Sequence, residues 1–159
     1  MTALPPLLAG ATPLRPGDAV AALIEVEGDG YLMQRRDARA DIWYPDHWGL
    51  FGGGIEPGED PVAALARELR EELELEIDTG AAIFFVRFDF DLSGLGLKRY
   101  QRCYYRVPIS RAVQRRLILH EGAEMRVFAG SEILQEPRIS PYDSFALFLH
   151  HARARLSPA

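Results

Sequence analysis

Three carboxylate side chains, Glu68, Glu71 and Glu72, fall within five consecutive residues, shortly after a run of three glycines at 52–54. Residues three and four apart on a helix share a face, so these carboxylates would repel one another unless a cation lay between them. All their donor atoms are oxygens, and a hard divalent cation is the partner that suits such a cluster. We therefore expect Mg²⁺, with Mn²⁺ as the alternative. Zn²⁺ suits the cluster less well, because no His or Cys lies nearby.

Local signals predict that the three glutamates lie on a helix. Asp60 is a favourable N-cap residue, and Pro61 suits the first helical position. Apolar residues recur at helical spacing and form one stripe, made of Val62, Leu65, Leu69 and Leu73. At roughly 100° per residue, this stripe lies about a quarter-turn or more from the glutamates. We expect the helix to bury its leucines and to present the acids to a cleft.

A helix rich in Glu and Arg is most often a solvated face with i,i+4 ion pairs. Here the glycine run, the capped start and the Arg-Glu-x-x-Glu-Glu spacing occur together. The segment 53–75 resembles the Nudix box, G-x5-E-x7-R-E-U-x-E-E-x-G-U, where U is a bulky aliphatic residue. Every position matches except the penultimate glycine, which is Glu74. Because a left-handed glycine often ends a helix, we expect the helix to run on past Glu74 or to end by another route, near Asp78 or Gly80.

The resemblance implies a set of catalytic and metal-binding residues. Glu68, Glu71 and Glu72 would ligate the metal, and Gly53 would place its backbone close to the metal and the phosphate. Arg67 would orient a carboxylate, with Glu71 as its expected partner one turn along the helix. Glu71 and Glu72 count with Arg67 among the catalytic residues.

A carboxylate outside the box completes this catalytic set. Nudix enzymes often use such a group as a metal ligand or general base. Glu121 is the candidate, Glu124 is the fallback, and His120 is a further base candidate by its ordinary pKa. An exposed loop glutamate would be the alternative interpretation of Glu121.

Residues before the box are candidates for substrate binding. Arg35 and Arg36 close the second strand, where family members often place a phosphate-binding arginine. Trp43 and Tyr44 precede the glycine loop and could stack on a base or cap a sugar. Gly53 and Gly54 would allow the backbone to approach the substrate closely.

The remaining pattern predicts one α/β (α+β) domain over residues 18–159, preceded by an extended, proline-rich arm over 1–17. Strands are expected near 18–27, 31–35, 48–51, 81–92, 98–107 and 124–128. A terminal helix is expected from Ser140-Pro141 to about Arg155, with Phe145 and Leu149 on its apolar face. The resemblance implies a Nudix-type α/β/α sandwich with a mixed sheet.

Composition limits the partners. The net charge of −5 disfavours binding of long nucleic acid by a general field. No apolar run reaches the length of a membrane span, and no signal peptide is indicated, so the cytoplasm is the expected location. Cys103 is the only cysteine, which excludes an intramolecular disulfide. A homodimer is left open.

The resemblance implies hydrolysis of a phosphoanhydride bond in a small nucleotide. The long aromatic loop over 37–48 slightly favours a nucleoside diphosphate linked to a second moiety, such as a nucleotide sugar or ADP-ribose. The alternatives are a sanitising (deoxy)nucleoside triphosphate pyrophosphohydrolase and a hydrolase of dinucleoside polyphosphates or RNA caps. A catalytically inactive ligand-binding module belongs to another class and predicts a damaged acidic cluster.

Overall fold

The computed structural model describes residues 13–28 and 30–156. Most of the arm expected over 1–17 therefore lies outside the described residues, and 13–18 form neither helix nor strand. The elements in chain order are β1 (Ala19–Val26), β2 (Gly30–Arg35), β3 (Trp48–Gly49), α1 (Pro61–Leu73), β4 (Ile83–Asp91), β5 (Arg99–Ile109), α2 (Arg111–Gln114), β6 (Glu124–Phe128), α3 (Gly130–Ile133) and α4 (Pro141–Ala152). Short 3₁₀ turns lie at Thr79–Ala81, Ser93–Leu95 and Arg153–Arg155.

The strands form one mixed sheet of six strands in the order β3-β2-β1-β5-β4, with β6 on β2. β1 and β5 are parallel, with Ala22 opposite Tyr105, and the other pairings are antiparallel. The mixed sheet confirms the predicted fold class, and the strand order is new information.

Two apolar layers cover the faces of the sheet. On one face, alternate residues of β1 pack with Phe51 and with Leu65, Leu69 and Leu73 of α1. On the opposite face, the intervening residues of β1 pack with Ala146 and Leu147 of α4. Because side chains of a strand alternate between faces, β1 contributes to both layers and is nearly fully buried. This is the predicted α/β/α sandwich.

Helix α1 begins as expected and ends differently. The Asp60 side chain accepts hydrogen bonds from the Val62 and Ala63 amides at 2.9 and 3.2 Å. The helix ends at Leu73, and Glu74 takes the left-handed conformation itself, with φ 54° and ψ 27°. The expectation that the helix would continue past Glu74, or end near Asp78 or Gly80, is therefore wrong. Glu74 thus adopts the left-handed conformation that glycine often takes at the end of a helix.

The apolar face predicted for α4 is also wrong in part. Phe145 is 53% exposed, and the buried residues of α4 are Asp143, Ala146, Leu147 and His150. The phenyl ring of Phe145 instead stacks at the sheet edge against Phe88, with ring centroids 5.4 Å apart. A buried Asp and His at helical spacing gave no apolar signal, so the true inner face was missed.

Two further predictions concern the chain as a whole. Cys103 is a buried free thiol in β5. Over 13–28 and 30–156, no helix is long and apolar enough to cross a membrane.

Candidate active site

The glycine loop is held against β1 by backbone hydrogen bonds. The Val20 amide donates to the Gly53 carbonyl at 2.9 Å, and the Ala22 amide donates to the Phe51 carbonyl at 2.8 Å. Gly52 has φ 135°, and a Cβ there would collide with the Val20 carbonyl. Only glycine permits this approach, so the loop lies directly beside the central strand and faces α1.

Glu72 is the most buried of the three box glutamates, with 4% of its surface exposed. Its carboxylate accepts hydrogen bonds from the Gly52 amide at 2.8 Å and from the Gln34 side-chain amide at 3.1 Å. Burial raises the pKa of Glu72 to about 7, against the lowering effect of these two donors. The expectation that all three acids would face an open cleft is therefore corrected for Glu72, which lies beneath the glycine loop.

Arg67 connects the loop to the helix. Its guanidinium donates to both oxygens of Glu59, each at 3.0 Å, and to Glu68 at 2.6 Å. It also donates to the Gly54 carbonyl at 3.0 Å. Its distance to Glu71 is longer, 3.6 Å. Arg67 thus contacts Glu68 more closely than Glu71, its expected partner, and its orienting role stays a prediction.

Glu68 lies directly against Gly53. A Cβ added at Gly53 would come within 2.5 Å of the Glu68 carboxyl carbon. Burial raises the pKa of Glu68, and the bond from Arg67 opposes this rise. The absence of a side chain at Gly53 therefore leaves the space that the Glu68 carboxylate occupies. Gly54 has no such steric role, since a Cβ there would meet nothing within 4 Å.

The donor set suits a hard cation, although the ligands do not converge in this conformation. Glu71 is more open, with 58% of its side chain exposed. Among the residues described, no three His, Cys, Asp or Glu side chains are grouped closely enough to hold a metal ion. Yet Glu68 and Glu72 both have raised pKa values and lie near a further acid, Glu121. A divalent cation would relieve this repulsion, so the carboxylates fit the ion by chemistry.

The structure brings Glu121 to this cluster. The negative charge of Glu121 contributes to the raised pKa values of Glu68 and Glu72. The preceding residue, His120, donates its backbone N–H to the Glu72 carbonyl at 2.9 Å. The fallback residue Glu124 lies elsewhere, in β6, where it pairs with Arg35 at 3.2 Å. Glu121 is therefore the better placed of the two candidates.

The side chains of the two candidate phosphate-binding arginines lie away from the cluster of box glutamates. Arg35 shares a face of β2 with Met33, which packs on the α4 side, whereas Gln34 points to Glu72. The guanidinium of Arg35 pairs with Asp46 at 2.9 Å and also with Glu124. Arg36 donates to the Trp43 carbonyl at 2.8 Å. Both side chains therefore stabilise the following loop in the structure described.

The loop over 37–47 is fixed to the α4 side of the sheet. Asp46 bonds both Arg35 and Arg138, at 2.9 and 3.0 Å. Tyr44 has φ 47° and packs edge-on against Tyr142 of α4. Trp43 is 37% exposed and remains accessible to a ligand. Of the two aromatic candidates, Tyr44 thus has a partner within the protein, and Trp43 is the more open.

Two residues near the acids were not predicted. Gln34 is 4% exposed and orients Glu72, but a glutamine in a strand gives no signal of that role. Arg39 is paired with Asp41 at 2.6 Å, and the negative charge of Glu121 also contributes to raising the pKa of Arg39. An arginine in an irregular loop cannot be placed from sequence, because the loop path is unknown.

Fold and site together define a class of protein, an α/β/α domain with an all-oxygen acidic site between a glycine loop and a helix. The Nudix domain family matches residues 15–144, and the chain belongs to that family. The solution structure of the Escherichia coli ORF135 protein superposes with a TM-score of 0.68 at 28% identity, covering 92% of this chain and 96% of that one. These similarities support the prediction of a hydrolase acting on acid anhydrides.

Curated relatives match over shorter segments. A nucleoside triphosphatase, NudI of Salmonella agona, is 46% identical over 48 residues, which cover 30% of this chain and 34% of the relative. An RNA pyrophosphohydrolase of Rhodospirillum rubrum is 38% identical over 73 residues, which cover 46% of this chain and 40% of the relative. The matches thus span about a third to two fifths of the length of these relatives.

Proposed function

We propose that this protein hydrolyses a phosphoanhydride bond of a small nucleotide in a reaction that requires a divalent cation, Mg²⁺ or Mn²⁺. The observation that carries the proposal is the burial of Glu72 near Glu68 and Glu121, with no cationic side chain bonded to it among residues 13–28 and 30–156. A polyanionic substrate and an anionic site attract each other only through a bridging cation. Glu68, Glu71 and Glu72 would hold that cation, which would lower the pKa of bound water and neutralise phosphate charge.

The protein side chains then have separate tasks. Arg67 fixes Glu68, and Gln34 with the Gly52 amide fixes Glu72, so the ligands are oriented before the substrate arrives. Glu121 is exposed, and its charge acts on Glu68 and Glu72, so it would accept the proton of the attacking water. Gly53, which has no side chain, leaves the space that the Glu68 carboxylate occupies.

Among substrates, a nucleoside triphosphate is our first candidate. The expectation of a diphosphate linked to a second moiety rested on the long loop over 37–48. That loop is folded back and fixed by Asp46 and Tyr44, which gives no support for an additional subsite there. The relative from Salmonella agona, which is named a nucleoside triphosphatase, favours the triphosphate. The diphosphate-linked nucleotide is the second candidate.

Product identity distinguishes these substrates. We propose to incubate the protein and Mg²⁺ with nucleoside triphosphates, ADP-ribose, nucleotide sugars, dinucleoside polyphosphates and a 5′-triphosphorylated RNA. A triphosphate should give nucleoside monophosphate and pyrophosphate, whereas ADP-ribose would give AMP and ribose phosphate. The matched control is Glu76→Gln, which removes an exposed acid that pairs with Arg70 outside the cluster. Absence of turnover on every nucleotide, with either metal, would contradict the proposed function.

A further inference from the structure

Glu74, the one departure from the box, makes a contact that glycine could not make. Its carboxylate accepts a hydrogen bond from Nε2 of His120 at 2.7 Å. Glu74 reaches this position from a left-handed backbone conformation, with φ 54°, which is unfavourable for a residue with a Cβ. The protein therefore has a strained residue where glycine would adopt the same conformation without strain. The side chain of this residue makes the bond to His120.

His120 is joined to the end of α1 by two bonds. Its backbone N–H donates to the Glu72 carbonyl at 2.9 Å, in addition to the bond from its ring to Glu74. Just before it, the Ile118 amide donates to the Leu73 carbonyl at 3.3 Å. The segment 118–120 thus follows the C-terminal end of α1, and the Glu74–His120 bond is its side-chain attachment.

Glu121 lies between this attachment and a second one. Two residues after it, the Ala123 amide donates to the Arg35 carbonyl at 2.8 Å, which fixes the chain to β2. Gly122 has φ 90°, and a Cβ there would come within 2.7 Å of Gln34 Oε1. The connection that carries Glu121 is therefore short and held at both ends.

We propose that Glu74 is a positioning residue, whose bond to His120 holds Glu121 in place beside Glu68 and Glu72. This inference rests on the proposed function, in which Glu121 acts at the site. The side chains of Glu74 and His120 are 57% and 46% exposed, so their pairing contributes little to folding stability. Its effect is expected on the geometry of the site.

Replacement of Glu74 by the family residue separates stability from activity. In Glu74→Gly the left-handed strain is relieved and the bond to His120 is lost. We expect an unchanged or higher urea midpoint, a kcat lower by about fivefold, and a KM for nucleotide within about twofold of wild type. The Mg²⁺ concentration for half-maximal activity should rise by about threefold. Glu74→Gln retains the acceptor and should stay close to wild type, as should the surface control Glu76→Gln.

A double variant tests whether the two side chains act together. His120→Ala should lower kcat by a similar factor, and Glu74→Gly/His120→Ala should be no worse than either single variant. The proposal is overturned if the losses in kcat of the two single variants multiply in the double variant. It is also overturned if Glu74→Gly has the kcat of wild type.

Amide hydrogen exchange provides a readout that does not depend on turnover. In the metal-free Glu74→Gly variant, the amides over 118–122 should exchange at least about threefold faster than in wild type, with no change in β1. Equal exchange in the two proteins overturns the positioning role and leaves the proposed function intact. Absence of turnover in the wild type contradicts the proposed function, whereas the exchange result still decides whether Glu74 holds the segment.

Discussion

The two faces of the sheet each bury one carboxylate, and they stabilise it in different ways. On the α4 face, Asp143 is 2% exposed and accepts hydrogen bonds from the Ser140 hydroxyl, the Leu50 amide and the Tyr104 hydroxyl, at 2.8, 3.0 and 3.1 Å. Arg102 pairs with it at 3.2 Å. The charge of Asp143 is thus balanced by a cation from the chain itself.

On the α1 face, Glu72 is 4% exposed and has two neutral donors, Gly52 and Gln34. Burial raises the pKa of Glu72, and the negative charges of its neighbours Glu68 and Glu121 raise it further. A buried carboxylate without a cation is costly to ionise. The contrast separates a carboxylate that is balanced within the fold from one that, under the proposed function, would be balanced by a divalent metal ion.

The largest expected effect is on turnover. Glu72→Gln keeps the shape of the side chain and one of its two acceptor oxygens, but it removes the charge that a divalent metal needs. We expect kcat to fall by about 10³- to 10⁴-fold, because metal-based stabilisation of the transition state amounts to several kcal/mol. Steady-state kinetics with Glu76→Gln as the control measures this. Full activity of Glu72→Gln would show that Glu72 does not carry the metal.

Asp143→Asn should affect folding instead. The substitution leaves Arg102 buried without its ion pair, so we expect a loss of about 4 kcal/mol in the free energy of unfolding. Urea denaturation at pH 7 measures the change. Arg102→Met/Asp143→Asn should recover part of the loss, since the unpaired cation is then gone. If the single variant is as stable as wild type, Asp143 and Glu72 do not differ as described.

The pH dependence of stability in the metal-free protein should distinguish wild type from Glu72→Gln. Because the pKa of Glu72 is raised from its ordinary value of 4.5 to about 7 on folding, the folded state binds this proton more tightly. Its contribution is present below pH 4.5 and is lost as pH rises to about 7, at a cost of about 3 kcal/mol. Glu72→Gln should lack this loss. Parallel stability curves for the two proteins would contradict the assignment.

Within the comparison of the two buried carboxylates, the smallest expected effect concerns Gln34. Gln34→Met removes the donor to Glu72 and keeps an apolar side chain of similar length. We expect kcat to fall by about tenfold, the range of residues that orient metal ligands. Gln101→Met, a substitution in β5 outside the acid cluster, is the control. An unchanged kcat and an unchanged metal requirement in Gln34→Met would remove Gln34 from the site.

Local rules predicted those features that depend on neighbours in sequence. The N-cap at Asp60, the leucine stripe of α1 and the mixed α/β/α architecture were all confirmed. The cap and the stripe follow from capping preferences and periodicity, which are visible in a single chain, whereas the mixed α/β/α architecture came from the resemblance to the Nudix family. The burial of Glu72 was not visible, because the glycine loop that covers it is placed by β1, thirty residues before the loop in sequence.

The remaining errors have similar causes. The predicted end of α1 was wrong because Glu74 adopts a left-handed conformation in which its side chain bonds His120. The inner face of α4 was wrong because Asp143 is buried through partners on other elements. In both cases a polar residue is held by a contact from a distant segment. The roles of Glu68, Glu71, Arg67 and Glu121 remain predictions.

Metal binding tests the central claim most directly, namely that Glu72 binds a divalent metal ion. We propose to titrate Mn²⁺ into metal-free wild type, Glu72→Gln and Glu76→Gln at pH 8, where Glu72 is ionised. Binding should be detected in wild type and Glu76→Gln, and it should be at least about tenfold weaker in Glu72→Gln. Equal affinity in all three proteins, or no binding at millimolar Mn²⁺, would contradict the account.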